Sequence, residues 1–179
     1  DHEWGKAFFY FRSAVVAFAG LPLVWIAAAG ALAAAARRVF WPLGLLALPP
    51  VFYVISMYSS GTPIFLPHLW PNSYYNTRYA MAALPLLAVA GGALVSLAPA
   101  RLRKFAAAAV ILAASAPWVL APQPENWICW KESQVNSEAR RVWTREAAEF
   151  LRAHRQPGDG FFTSFGDLTG IFQQAGIPL

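Results

Sequence analysis

Arg78 stands in the stretch PNSYYNTRYAMAALP, Pro71–Pro85, where a polar, aromatic segment gives way to apolar sequence. A guanidinium stays charged and presents its donors as a planar fork, so at the edge of an apolar run it can hold a phosphate through two parallel hydrogen bonds. No Asp or Glu occurs between Trp4 and Pro124, so the sequence puts no carboxylate beside Arg78 to cancel its charge. His68, Asn72, Asn76 and the hydroxyls of Tyr74 and Tyr75 are close enough along the chain to line such an anion site, with Tyr79 as an aromatic neighbour. The simpler alternative is an interfacial arginine reaching lipid headgroups beside an aromatic belt. A lipid-linked phosphate or pyrophosphate would lie at the same depth.

Other polar groups carry weaker signals. Asp1, His2 and Glu3 could ligate a metal or act as a base, but a solvated chain end explains them more simply. His154 closes a predicted helix, where a cation suits the dipole. Asp167 follows Gly166 and reads as a helix N-cap rather than a loop acid. Glu125, Glu132 and Glu138 lie beyond the last apolar run, and nothing in their spacing marks a catalytic pair. Trp118, Trp127 and Trp130 read as interfacial residues, with sugar stacking on Trp127 or Trp130 as the alternative. Cys129 is the only cysteine, so no intrachain disulfide can form. No metal or cofactor site is assigned, and the catalytic residues are not identified.

These residues must be positioned by membrane-type elements. Of the 179 residues, 58% are hydrophobic and 13% charged, whereas soluble domains run at about 45–50% and about 25%. Residues 1–122 carry eight Lys and Arg against two acids; residues 123–179 carry six against seven. The basic excess therefore belongs to the apolar part and reads as a topology signal, not a nucleic-acid footprint. A bilayer core needs about 20 apolar helical residues. Four segments qualify: Ser13–Ala36, Val39–Ser60 with a kink expected at Pro49-Pro50, Tyr79–Ala98, and Phe105–Ala121. The fold class expected is mainly α: a polytopic membrane domain over 1–122, then a small, truncated α/β segment over 123–179.

The short turns Arg37-Arg38 and Arg101/Arg103/Lys104 should face the cytoplasm. The loop 61–78 and the C-terminal tail are then extracytoplasmic, in a multi-pass protein of the cell (inner) membrane. In the tail, Ser133–His154 has helical spacing, Gln156–Gly160 is a turn, Phe161–Phe165 is strand-like, and Leu168–Ala175 is a second helix.

The run SYYNTRYAMAALPLLAVAGG resembles the N-x-R-Y…L-P segment of polytopic GT-C-type glycosyltransferases, a superfamily that includes protein O-mannosyltransferases and the aminoarabinose transferase acting on lipid A. SSGTPIFLPHLWP before it and PGDGFFTSFGDLTGIF after it are similar to bacterial members with a soluble tail. The likeness covers Ser59–Leu97 best. It implies sugar transfer from a polyprenyl-phosphate donor to an acceptor glycan, lipid or protein. Arg78 then matches the arginine near the lipid phosphate and Tyr79 its neighbour; Tyr75, Asn76 and His68 belong to the candidate donor site only by their residue chemistry and place in the chain, as hydrogen-bond partners. It also implies a catalytic acid in an earlier outer loop, so the chain reads as a C-terminal fragment. Two other classes remain: a transporter or flippase, and a non-catalytic anchor presenting the tail.

Overall fold

The structure is a computed structural model that describes residues 2–163, Gly166 and residues 168–178. It is mainly helical, and among the described residues there is no strand. The chain divides into two compact units, Asp1–Glu132 and Ser133–Leu179.

The first unit opens with α1, Trp4–Ala19, and α2, Leu21–Ala36. The expected straight span Ser13–Ala36 is instead broken, with 109° between the two helices. Gly20 takes φ 76°, a left-handed value that favours glycine, and Pro22 in the first turn of α2 lacks the N–H needed to continue α1. A side chain at Gly20 would also meet the Trp118 ring at 3.0 Å.

The second expected span is α3, Trp41–Leu46, followed by α4, Leu48–Tyr58. Its break falls at Ala47, not at Pro49-Pro50. The prolines sit in the first turn of α4, where a missing N–H costs no helical bond. The third span starts as a 3-10 helix, Thr77–Ala83, and continues as α5, Leu84–Val95. The fourth is α6, Arg103–Leu120. Trp41–Tyr58, Thr77–Val95 and Ala100–Leu120 are long and apolar enough to cross a membrane, with a fourth crossing if the bent α1–α2 pair counts as one.

These passes alternate in direction. The Arg37 guanidinium donates to Ser96 Oγ at 3.4 Å, just past α5, and Arg103 Nε donates to the Ala98 carbonyl at 3.2 Å. The basic turns therefore gather at one end of the bundle. At the other end lie the end of α4, the loop, and the end of α6. Trp4 stacks on Tyr58 at 4.0 Å at one end of α1, and Gly20 abuts Trp118 at the other. Helix α1 thus lies across the loop end rather than through the bundle. Its buried face, Phe11, Ala14 and Val15, packs on Ile64 and Leu66 of the loop, on Ala80 and Ala83, and on Ile128.

The loop is built, not loose. Phe65 and Tyr75 pair across it through backbone bonds of 3.0 and 3.3 Å. Asn72 Nδ2 donates to the Pro67 carbonyl at 3.1 Å, and Tyr10 donates its hydroxyl to the Trp70 carbonyl at 2.6 Å. On α6 most large apolar side chains, such as Leu112 and Leu120, are exposed and none is fully buried; Trp118, against Gly20, is half-buried. Such a largely uncovered apolar surface is the kind a lipid-facing helix presents.

In the second unit, the later part of α7, Ile128–His154, carries buried Thr144 and Ala148; α8, Thr169–Ala175, carries buried Ile171 and Phe172. Phe161 packs edge-on against Phe172 at 5.4 Å, and Arg152 donates to the Gln174 carbonyl at 3.1 Å. The expected turn forms, with the Gln156 amide donating to Asp159 Oδ2 at 2.7 Å. The α/β expectation is corrected. Phe161–Thr163 has no regular structure, and Ser164 and Phe165 lie outside the described residues. A lone strand leaves its edges unpaired, and the sequence supplies no second one. Helix α8 starts from Leu168; the N-cap expected at Asp167 lies outside the described residues.

The most extensive helix–helix contact is α2 on α5. A Cβ on Gly30 would overlap the Ala90 carbonyl oxygen and lie 2.7 Å from its carbon. Apolar tails compete for the same surfaces in lipid, so such a pair depends on close approach. Gly30→Ala should destabilise the protein by about 1–3 kcal/mol, the usual cost of overpacking. Gly92→Ala, whose Cβ would meet nothing within 4 Å, should not lower the thermal midpoint. Equal midpoints for both variants in detergent or nanodiscs would refute this account of the contact.

Candidate functional site

The third span begins where the loop ends, at Asn76. This residue takes left-handed φ 56° and turns its side chain back, Nδ2 donating to the Pro63 carbonyl at 3.0 Å. Its side chain makes no cap bond to the helix it precedes, so the first amides of that helix need another acceptor. Glu132, on the second turn of α7, supplies it. Its Oε1 accepts the Asn76 amide at 2.9 Å, and its Oε2 accepts both the Thr77 amide at 2.7 Å and the Thr77 hydroxyl. Thr77 and Glu132 are buried. An anion at a helix N-terminus, bonded to several donors, is among the stronger polar contacts a protein makes.

Arg78 emerges from this turn. Its Nη1 lies 3.5 Å from Glu132 Oε1. The expectation that no carboxylate lies near Arg78 is corrected: the chain returns one from 54 residues away. The contact is long and the Arg78 side chain is 60% exposed, so the pair is worth about 0–1 kcal/mol. The guanidinium carbon sits 5.2 Å from the centre of the Tyr79 ring, which itself stacks on Tyr53 at 4.8 Å. Tyr79 is thus a packed platform under the cation.

The remaining expected residues fall elsewhere. Tyr75 lies on the loop, its ring against Phe65 at 5.7 Å. Asn76 has its backbone in the Glu132 cluster and its side chain on Pro63. His68 lines a separate cleft with Glu125, Asn126, Pro117 and Trp118. Glu3 bonds to Lys6 at 3.0 Å, and His2 Nδ1 lies 3.1 Å from the Tyr58 carbonyl; Asp1 lies outside the described residues. His154 ends α7, its ring stacked on Phe150 at 4.1 Å. Among the described residues no three His, Cys, Asp or Glu side chains converge as metal ligands would.

Sequence reasoning missed Glu132 as a member of this cluster. The available signal was periodic: Ile128, Glu132 and Val135 recur at helical spacing, which puts an acid on an apolar stripe. Cys129 Sγ lies 3.8 Å from the Thr77 hydroxyl oxygen. Burial pushes its thiol above the ordinary value; the Thr77 hydroxyl pulls the other way and the Glu132 charge adds to the rise. Glu125 is held below the usual carboxylate range by its own backbone amide and by Lys131 at 3.2 Å.

No family model, curated protein or solved structure matches the chain.

Glu132→Ala should cost about 3 kcal/mol, because two buried amides and a hydroxyl lose their acceptor together. Thr77→Val should cost about 1 kcal/mol, since the hydroxyl alone is lost. Thermal unfolding of the two variants checks the order, and a smaller loss for Glu132→Ala would contradict the cluster.

Alkylation of Cys129 followed against pH should show its midpoint above that of an unperturbed thiol, since the thiolate is the reactive form. In Glu132→Gln the midpoint should move down, because a neighbouring negative charge has gone. A midpoint that stays put or rises in that variant would exclude the expected coupling.

Proposed function

We propose that the protein is part of an integral-membrane glycosyltransferase that moves a sugar from a polyprenyl-phosphate carrier to an acceptor. Arg78 holds the carrier's phosphate. One observation carries this reading: the guanidinium is exposed at the loop end of a membrane-length span, while the carboxylate beside it has its oxygens committed to Asn76 and Thr77. Glu132 therefore positions Arg78 without occupying its outward-facing donors. The stack of Tyr53, Tyr79 and Arg78 limits where the cation can swing. The resemblance of SYYNTRYAMAALP to the GT-C segment points the same way.

In the reaction, an acceptor hydroxyl attacks the anomeric carbon and forms the new C–O bond. The bond from that carbon to the phosphate oxygen breaks, and the electron pair leaves with the polyprenyl phosphate. Arg78 stabilises the charge that grows on the leaving oxygen, a role suited to a cation held in place beforehand. The hydroxyl proton goes to a base that this reading assigns to no described residue. Glu132 is unsuited to that task because its oxygens already accept three hydrogen bonds.

The gathering of Arg37, Arg38 and Arg103 at one end supports a cytoplasmic placement for that end. The loop 61–78 would then face the extracytoplasmic side, together with Arg78. Helices α2, α4 and α5 carry no charged residue, which argues against a coupled transport path through the bundle.

Binding of undecaprenyl phosphate to the protein in nanodiscs, read by native mass spectrometry against undecaprenol, tests the assignment. The phosphate form should bind preferentially, and Arg78→Ala should weaken it by about 10–100-fold, the range for losing a charge-assisted bond. Arg78→Lys should retain part of the preference. Equal binding of phosphate and alcohol, or an unchanged preference in Arg78→Ala, would rule the assignment out.

A further inference from the structure

A second site lies at the same end of the first unit. The first turn of α1, the end of α4 and the loop enclose a cleft of about 400 Å³. His2 and Glu3 line it from just before α1, Lys6 and Tyr10 from α1, Met57 from α4, and Phe65 and Trp70 from the loop. Its size is at the small end of ligand pockets, and its lining combines aromatic surface with a few polar groups, the usual constitution of a ligand site.

Two features narrow the ligand. The first is Trp70. Its indole is 79% exposed, although its backbone is pinned by the 2.6 Å bond from the Tyr10 hydroxyl. A large aromatic ring left uncovered on a fixed backbone offers a ready flat apolar face. The second is charge. Lys6 is bonded at 3.0 Å to Glu3, the residue just before α1. The pair offers N–H donors and carboxylate acceptors side by side with no net charge, and the His2 ring also lines the cleft, so Lys6 is not a lone cation free to hold a phosphate or sulfate. A flat apolar face beside adjoining donors and acceptors matches a ring with C–H groups on one face and hydroxyls around its edge.

We propose that this cleft binds the pyranose ring of an uncharged glycan, stacked on Trp70 and hydrogen-bonded by the Glu3–Lys6 pair. Arg78 does not line the cleft, so the inference stands apart from the phosphate reading and can succeed or fail without it.

The test uses the protein in nanodiscs, free of sugar-headed detergent, with saturation-transfer NMR to the methyl glycosides of glucose, galactose and mannose. At least one glycoside should receive saturation. Its affinity should fall about tenfold or more in Trp70→Ala, the loss expected from about 1.4 kcal/mol of ring contact. Trp70→Phe should retain part of the binding, and Lys6→Met should weaken it with an unchanged thermal midpoint, which guards against a folding defect. Trp41→Ala, exposed on α3, should bind as the parent does. An octyl glycoside that binds more tightly than its methyl counterpart would mark a glycolipid as the source, and equal affinity would mark a free glycan end; both fit the proposal. No transfer to any glycoside, unchanged affinity in Trp70→Ala, or displacement of the glycoside by inorganic phosphate would overturn it. Loss of glycoside binding in Trp70→Ala with undecaprenyl phosphate binding intact separates this site from Arg78.

Discussion

The buried carboxylate of Glu132 is the constraint on which the loop end of the first unit depends. A chain entering a helix leaves its first amides without acceptors, and here the cap residue, Asn76, makes no side-chain cap bond; its Nδ2 donates to the Pro63 carbonyl instead. An acceptor must come from elsewhere, and the start of α7 brings it. Once Glu132 is seated, Ile128 is held in the core formed by α1, the loop and the 3-10 turn, and Cys129 lies against Thr77. The residue after the capped pair is Arg78. Its direction of exit is set by a cluster that is buried and fully bonded, though Arg78 itself is mostly exposed.

The bundle's shape rests on two glycines used for different reasons. Gly20 reverses the path between α1 and α2 in a backbone conformation that a side chain would strain, against the Trp118 ring. Gly30 lets α2 approach the backbone of α5. Removing apolar surface from lipid brings little reward, so helices of this composition associate where small residues allow dense contact. Helix α6, with no fully buried residue, shows the contrasting case of a helix that leaves most of its apolar surface uncovered.

Charge at the loop end is largely paired. Lys6 meets Glu3, Lys131 meets Glu125, and Arg78 meets Glu132. The three pairs differ in what the acid is free to do. Glu3 and Glu125 are exposed, whereas Glu132 is buried and engaged by backbone and hydroxyl donors. Arg78 is therefore the most loosely paired cation of the three, and its pairing distance, 3.5 Å against 3.0 and 3.2 Å, agrees. The loop end thus carries a loosely paired cation at Arg78 and, apart from it, an aromatic cleft whose Lys6 and Glu3 are paired.

The sequence by itself determined the helical, membrane-type class, because long apolar runs need no partner to declare themselves. It also determined the basic turns, and the helices near Ser133–His154 and Leu168–Ala175, whose signals are periodic and local. Local rules misplaced the breaks: Pro22 with Gly20 bends the first span far more than composition suggests, and the prolines of α4 act one turn upstream. The strand-like run Phe161–Phe165 had the right residue types but no second strand. The Arg78 environment was beyond local reading, because its carboxylate lies 54 residues away and nothing in either segment names the other. Tertiary structure alone decided that pairing, and it also decided that α1 lies across the bundle and that Trp70 stands beside Lys6 and Glu3. The physical reason is common to all three. A buried donor must find an acceptor and a small-residue face must find its match, and which distant segment answers is settled only when the chain packs.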